Sequence, residues 1–146
     1  MHEHFENILK FPENLNYNDE HIWMEYSTTG YIKCGITEYL CEITGEFLNI
    51  EFVRNILNME VNYGDPVLCA ESLKDSLIIK APFNGVIAEI NMNCSDVPDL
   101  INADPYGEGW LFIIYTDSIN DIEQQMRNDD YEFIVNKEKE NNEIMR

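Results

Sequence analysis

Turn-forming residues are crowded into the middle of the chain. All seven glycines lie between Gly30 and Gly109, four of the five prolines lie between Pro66 and Pro105, and neither type recurs after Gly109. Between these breaks sit short segments that alternate apolar and polar side chains: Ile22 to Tyr26, Tyr31 to Ile36 and Phe47 to Val53. A period of two sends successive side chains to opposite faces, so each segment predicts a half-buried strand. Pro66 opens another, running on through Val67 to Ala70, because a strand's first residue tolerates a missing N–H, and Leu77 to Lys80 reads as its return. Asn84-Gly85 lies between Pro82-Phe83 and the run Val86 to Ile90. Both residues accept the positive φ of a type I′ turn, so the pair predicts a two-residue hairpin.

Two helical patterns interrupt the strands. Thr37 is placed to cap Glu38 to Ile43, which sets Leu40 and Ile43 on one face, and Gly45 follows as a left-handed stop. After Asp117-Ser118, apolar residues recur at helical spacing at Ile119, Ile122 and Met126, and with an offset at Tyr131, Ile134 and Val135. This predicts a C-terminal helix or helix pair that packs one face on the sheets. The stretch Lys137 to Glu143 has no apolar face and predicts fraying. The chain therefore divides into an N-terminal extension over 1–20, a strand-rich body over 21–116, and a helical extension with a frayed acidic tail over 117–146.

With 146 residues, 45% of them hydrophobic, the chain suits one folded domain rather than a disordered segment or a multidomain catalyst. A formal charge of −19 excludes nucleic acid and anionic membrane surfaces as partners and favours basic docking faces. No apolar run approaches the ~20 residues that span a bilayer. The acidic start, Met1 to Glu6, lacks the basic character of an export or transit signal, so a cytoplasmic location is expected. Cys34, Cys41, Cys69 and Cys94 are spaced too widely for a CxxC pair and are expected to be buried free thiols.

Catalytic signatures are missing. The chain has no GxSxG elbow, no glycine loop shaped for phosphate and no HExxH helix. His2 and His4 form an HxH pair without further ligands nearby, which reads as a solvated tail, and no metal site is expected. His21 is the remaining histidine. Lys74 is less ordinary, because the segment Glu71-Ser72-Leu73-Lys74-Asp75-Ser76 places it midway between an outgoing strand and its return. A lysine at such a tip projects its amine away from the sheet, where another enzyme could grip the hairpin and acylate the nitrogen. From spacing alone, a lysine that merely solubilises the turn is the commoner outcome.

Over the span from His21 to Thr116 the chain resembles the H-protein family of the glycine cleavage system, which are small lipoyl carriers. The resemblance rests on ordered pieces: His21-Ile22-Trp23, Gly35-Ile36-Thr37-Glu38-Tyr39, Gly45-Glu46, Gly64-Asp65-Pro66, Glu71-Ser72-Leu73-Lys74 and Ala81 to Asn91. The most specific is Pro98-Asp99-Leu100-Ile101-Asn102-Ala103-Asp104-Pro105-Tyr106-Gly107-Glu108-Gly109-Trp110. Biotin carriers resemble Met-Lys-Met at this turn, whereas here Leu73 and Asp75 flank the lysine.

The resemblance implies a mainly β fold, a hybrid barrel-sandwich of two antiparallel sheets, with lipoate amide-linked to Lys74 and no catalytic residue in the chain itself. Acylation would remove one positive charge and take the formal charge from −19 to −20. Glu71 and Asp75 become candidates for recognition by the lipoylating enzyme. Implied partners are lipoate ligase or an octanoyltransferase with lipoyl synthase, and then glycine decarboxylase, aminomethyltransferase and dihydrolipoamide dehydrogenase. Pro105, Tyr106, Gly107, Gly109 and Trp110 are expected to shape and anchor a tight loop.

Two positions depart from the family pattern. Ile22 stands where glycine-cleavage H proteins usually carry an acid, in a region resembling the pocket that shields the loaded arm, and Ile43 stands where some relatives have histidine. An apolar side chain cannot hydrogen-bond an amine. The run Phe11 to Tyr17 is also similar to H-protein-like lipoate-binding proteins of heterodisulfide-reductase-like sulfur oxidation, whose partners are sulfur-oxidation enzymes. A lipoyl relay platform, or an acidic β-sandwich adaptor that carries no cofactor, would also fit these residues.

Overall fold

The computed structural model describes residues 8–117, 120 and 124–144. The strands are β1 (Asn16–Tyr17), β2 (Ile22–Glu25), β3 (Tyr31–Ile36), β4 (Phe47–Phe52), β5 (Glu60–Val61), β6 (Pro66–Ser72), β7 (Ser76–Lys80), β8 (Gly85–Ile90) and β9 (Phe112–Tyr115). The helices are α1 (Glu38–Thr44), α2 (Met92–Asp96), α3 (Asp99–Ala103) and α4 (Asn128–Ile144). All pairings are antiparallel: one sheet runs β1-β2-β3-β9-β8-β5 and the other β4-β6-β7. The fold is the hybrid barrel-sandwich of two antiparallel sheets that the family resemblance implies, built from the half-buried strands that the alternation predicts.

Alternation fills two cores. On β3, Ile32, Cys34 and Ile36 point inward and join Ile22, Met24, Ile50, Leu68, Ala70, Ile87, Phe112 and Ile114 between the sheets. Trp23, between Ile22 and Met24, faces the other way. It joins a smaller cluster of Leu15, Tyr17, Tyr39, Tyr131 and Val135, which the C-terminal helix covers. On α4, Tyr131 and Val135 are buried, while Ile134 and Glu138 are half-buried along the same face. The ring of Tyr131 stacks on Tyr17 with centroids 4.6 Å apart.

Thr37 and Gly45 bound α1, the first through its side chain and the second through its backbone conformation. Thr37 Oγ1 accepts from the Leu40 N–H at 3.3 Å, and Gly45, at φ +84°, donates its N–H to the Cys41 carbonyl at 2.9 Å. Pro66 opens β6, and β7 returns beside it with Ala70 opposite Leu77 and Glu71 opposite Ser76.

Asn84-Gly85 is a correction: it is not a hairpin turn. β7 and β8 belong to different sheets, so the pair carries the chain across the sandwich, and Gly85 opens β8 outside the left-handed region. Glycine is required there for space, because a Cβ would collide with the Tyr115 carbonyl and the Ile114 side chain. Asn84 Oδ1 instead accepts from the Tyr63 N–H at 2.6 Å.

The strands β1 and β5 and the helices α2 and α3 carry patterns too brief to read from sequence, whereas β9, as long as β2, is a continuous apolar run with no alternation to mark it. The C-terminal helix also continues to Ile144, through the stretch expected to fray. Met126 lies outside that helix and exchanges backbone hydrogen bonds with Tyr17 at 2.8 and 2.9 Å. Ile119 and Ile122 fall outside the described residues, as do His2 and His4.

Candidate functional site

Lys74 occupies the tip of the β6–β7 hairpin. Ser72 closes the turn from inside: its N–H donates to the Asp75 carbonyl at 2.8 Å, and its Oγ accepts the Asp75 N–H at 3.1 Å. Leu73 and Lys74 are left outermost and exposed, Leu73 at 66%. No hydrogen bond or ion pair engages the Lys74 ammonium among the described residues, and Glu71 and Asp75, both exposed, do not pair with it. The fold therefore brings these three residues to one tip without tying their charges together.

The tip does not float. The Lys74 N–H donates to the Thr44 carbonyl at 3.1 Å, the Leu73 N–H donates to the Glu46 carbonyl at 3.0 Å, and Ser72 Oγ lies 2.7 Å from the Thr44 carbonyl. Asn102 holds this acceptor segment from the other side. Its Nδ2 donates to the Gly45 carbonyl at 3.2 Å and its Oδ1 accepts the Phe47 N–H at 2.9 Å. Sequence reasoning misses Thr44 and the roles of Glu46 and Asn102. Asn102 stands in the Pro98 to Trp110 block, yet nothing local points it at residues some sixty positions earlier.

That block is a scaffold, as expected. Gly107 and Gly109 N–H groups both donate to the Asp104 carbonyl, at 3.1 and 2.8 Å, and Trp23 Nε1 donates to the Pro105 carbonyl at 2.9 Å. Tyr106 Oη accepts the Glu38 N–H at 3.1 Å and donates to the Lys10 carbonyl at 2.8 Å.

A polar network sits at the opposite end of α1 from the lysine tip. Buried His21, at φ +69°, places Nδ1 2.8 Å from Tyr131 Oη and Nε2 3.1 Å from Glu138 Oε1. Tyr131 Oη lies 2.7 Å from Thr37 Oγ1, the cap of α1. Burial pushes the Tyr131 hydroxyl well above its ordinary pKa, with the Thr37 hydrogen bond opposing, so it remains a donor at neutral pH. Tyr39 Oη is buried beside this network without a hydrogen-bond partner of good geometry.

Ile22 and Ile43 do not form a shared pocket wall. Ile22 is buried at 2% exposure in the main core, opposite Ile36, whereas Ile43 is exposed on α1. Three cysteines are buried free thiols, but Cys69 corrects the expectation that all would be: its outward position on β6 leaves it exposed. Burial pushes Cys41 up to about 12 and Cys94 up to about 11, so neither thiol is a ready nucleophile. Among the described residues no group of three or more His, Cys, Asp or Glu side chains could hold a metal, and no helix is long and apolar enough to cross a membrane.

A two-sheet sandwich offering one unpaired lysine on a braced hairpin is a carrier-type barrel-sandwich domain. The family model described as glycine cleavage H-protein matches residues 15–138. A glycine cleavage system H protein from Pseudoalteromonas atlantica is 33% identical over 131 residues, spanning 90% of this chain and all of that protein. One from Alkalilimnicola ehrlichii is 35% identical over 130 residues, spanning 88% of this chain and 97% of the relative. The crystal structure of a glycine cleavage system H protein from Mycobacterium marinum superposes with a TM-score of 0.73 at 26% identity, covering 82% of this chain and 94% of that one. The chain belongs to the glycine cleavage H-protein family.

Proposed function

We propose that this protein is a carrier rather than a catalyst, holding lipoate in amide linkage on Lys74 and passing an aminomethyl group between the enzymes of glycine cleavage in the cytoplasm. The observation that carries the reading is the unpaired Lys74 amine at the apex of a braced hairpin, in a chain of this family. When bound, lipoate supplies a dithiolane that is reduced as it takes up the aminomethyl group and is reoxidised afterwards by disulfide exchange.

Everything else falls to the chain's own residues. Leu73 and Lys74 project beyond the last strand pair, Glu71 with Ser76, so a lipoylating enzyme meets backbone that is exposed yet fixed. Acylation joins an activated carboxyl carbon to the neutral Lys74 Nζ, expels the activating group and releases one proton to water. Lipoate ligase, or an octanoyltransferase followed by lipoyl synthase, would perform this step. Glu71 and Asp75 flank the acceptor, where a basic enzyme surface could read them, and the overall charge of −19 steers such surfaces in.

Glycine decarboxylase, aminomethyltransferase and dihydrolipoamide dehydrogenase are the partners of this reading. The three relatives are all named for the glycine cleavage system, which favours an aminomethyl cargo over sulfur carriage or a lipoyl relay. Buried Ile22 places no carboxylate where an acid is usual, so cargo is the point to measure. The lipoylated protein is offered to glycine decarboxylase with labelled bicarbonate. Exchange of label into glycine that disappears in Lys74→Arg supports the reading; no exchange with a competent decarboxylase removes glycine from it.

A further inference from the structure

We propose that Ser72 and Asn102 are positioning residues that present Lys74 to the enzyme acylating it, an inference that rests on Lys74 being the acceptor. The β6–β7 ladder ends at Glu71 opposite Ser76. Beyond that pair the turn has its internal Ser72–Asp75 bonds and, on the β4 side, the pairing of Ser72 with Phe47, which by themselves leave Leu73 and Lys74 to sway.

Three external contacts hold it instead. Lys74 N–H and Ser72 Oγ both meet the Thr44 carbonyl, and Leu73 N–H meets the Glu46 carbonyl. Core burial does not explain these ties, because Leu73 and Lys74 are both exposed. What they fix is the origin of the lysine stem. The stem itself keeps its rotamer freedom, so a placed Cα is the main constraint the chain can impose on where the amine travels.

Asn102 extends the brace by one layer. Its single amide donates to the Gly45 carbonyl and accepts from the Phe47 N–H, gripping both sides of Glu46, the residue that receives Leu73. Ser72 thus ties the tip to Thr44, and Asn102 ties Gly45 and Phe47, on either side of Glu46, to α3. An enzyme binding a tip that is correctly placed only part of the time sees its apparent affinity fall by that fraction, so loss of the brace raises KM more than it lowers kcat.

The test uses the unmodified full chain and the variants Ser72→Ala, Ser72→Thr and Asn102→Asp. Asn102→Asp keeps the acceptor for Phe47 and removes the donor to Gly45. Amide hydrogen exchange is followed at Leu73 and Lys74, with Ile114 in the central sheet as internal control. In parallel, purified lipoate ligase with lipoate and ATP is given each protein as substrate. Ser72→Ala and Asn102→Asp are expected to speed exchange at the tip by about 3- to 10-fold, the range for losing one hydrogen bond, without moving Ile114. They should raise KM for ligation by a similar factor, and Ser72→Thr should restore both readouts. Unchanged tip exchange overturns the proposal, and so does faster exchange with unchanged ligation. A wild-type chain that takes no lipoate while its tip exchanges as expected overturns the acceptor reading, and with it the positioning role, but leaves the brace itself standing.

Discussion

The carbonyl oxygen of Thr44, at the last residue of α1, accepts the backbone N–H of Lys74 at 3.1 Å across a gap of thirty residues in sequence. The lysine tip is therefore as much a part of the α1 terminus as of its own hairpin. Gly45 makes this junction, at φ +84° and ψ −167°, a region almost closed to residues with a Cβ. A Cβ would meet only Leu73 Cβ at 3.5 Å and Lys74 Cγ at 3.8 Å, so conformation and not space is the constraint. Gly45→Ala should lower unfolding free energy by about 1–3 kcal/mol in urea titration. A value within error of wild type would contradict the strain.

Tyr131 and Tyr39 make a contrasting pair. The Tyr131 hydroxyl bridges buried His21 and the α1 cap Thr37, so Tyr131→Phe strands two buried partners and should cost about 1–3 kcal/mol. Tyr39 Oη makes no hydrogen bond of good geometry and faces only the nearby Glu138 carboxylate, so Tyr39→Phe should cost clearly less than Tyr131→Phe. Chemical denaturation of both variants checks the pair, and equal losses would contradict the hydrogen-bond assignment.

Thiol reactivity should single out one position. Cys69 is exposed and the other three cysteines are buried, with Cys41 and Cys94 pushed up in pKa by burial first and by nearby Glu38 and Glu108 second. Iodoacetamide on the native protein near pH 8 should label Cys69 alone, and Cys69→Ser should abolish labelling. Rapid native labelling of Cys34 would contradict its burial at 0% exposure.

The same groups set the alkaline limit. Their folded pKa values lie above the ordinary 9.0, at about 12 for Cys41 and about 11 for Cys94, and burial moves Tyr17, Tyr106 and Tyr131 upward as well. A raised pKa means that the protonated form is favoured in the fold. That stabilisation is complete below the unfolded value and is lost as pH climbs from about 9 toward 12. Urea midpoints should fall steadily above about pH 9, and a flat or rising midpoint would contradict the burial of these groups.

Legibility in the sequence followed the range of the interaction. Thr37, Gly45 and the Pro66 strand with its return are visible because a cap, a left-handed stop and a period of two are local signals. They are enough to set Lys74 at a tip. Asn84-Gly85 misleads because turn chemistry names neither the partner strand nor the sheet, and the glycine answers to Tyr115, a strand neighbour some thirty residues on. Cys69 escapes because β6 is buried on one face only. The brace of Thr44, Glu46 and Asn102 is invisible because its bonds join segments about thirty and sixty residues apart, which meet only once β4 has paired with β6 and α3 has packed beside β4.

The most direct measurement is peptide-level mass spectrometry of the full chain co-expressed with lipoate ligase in lipoate-replete cells that modify another lipoyl carrier. The account predicts one lipoyl group on the peptide containing Lys74, and none on Lys74→Arg. A wholly bare Lys74 beside a fully modified control carrier would contradict it.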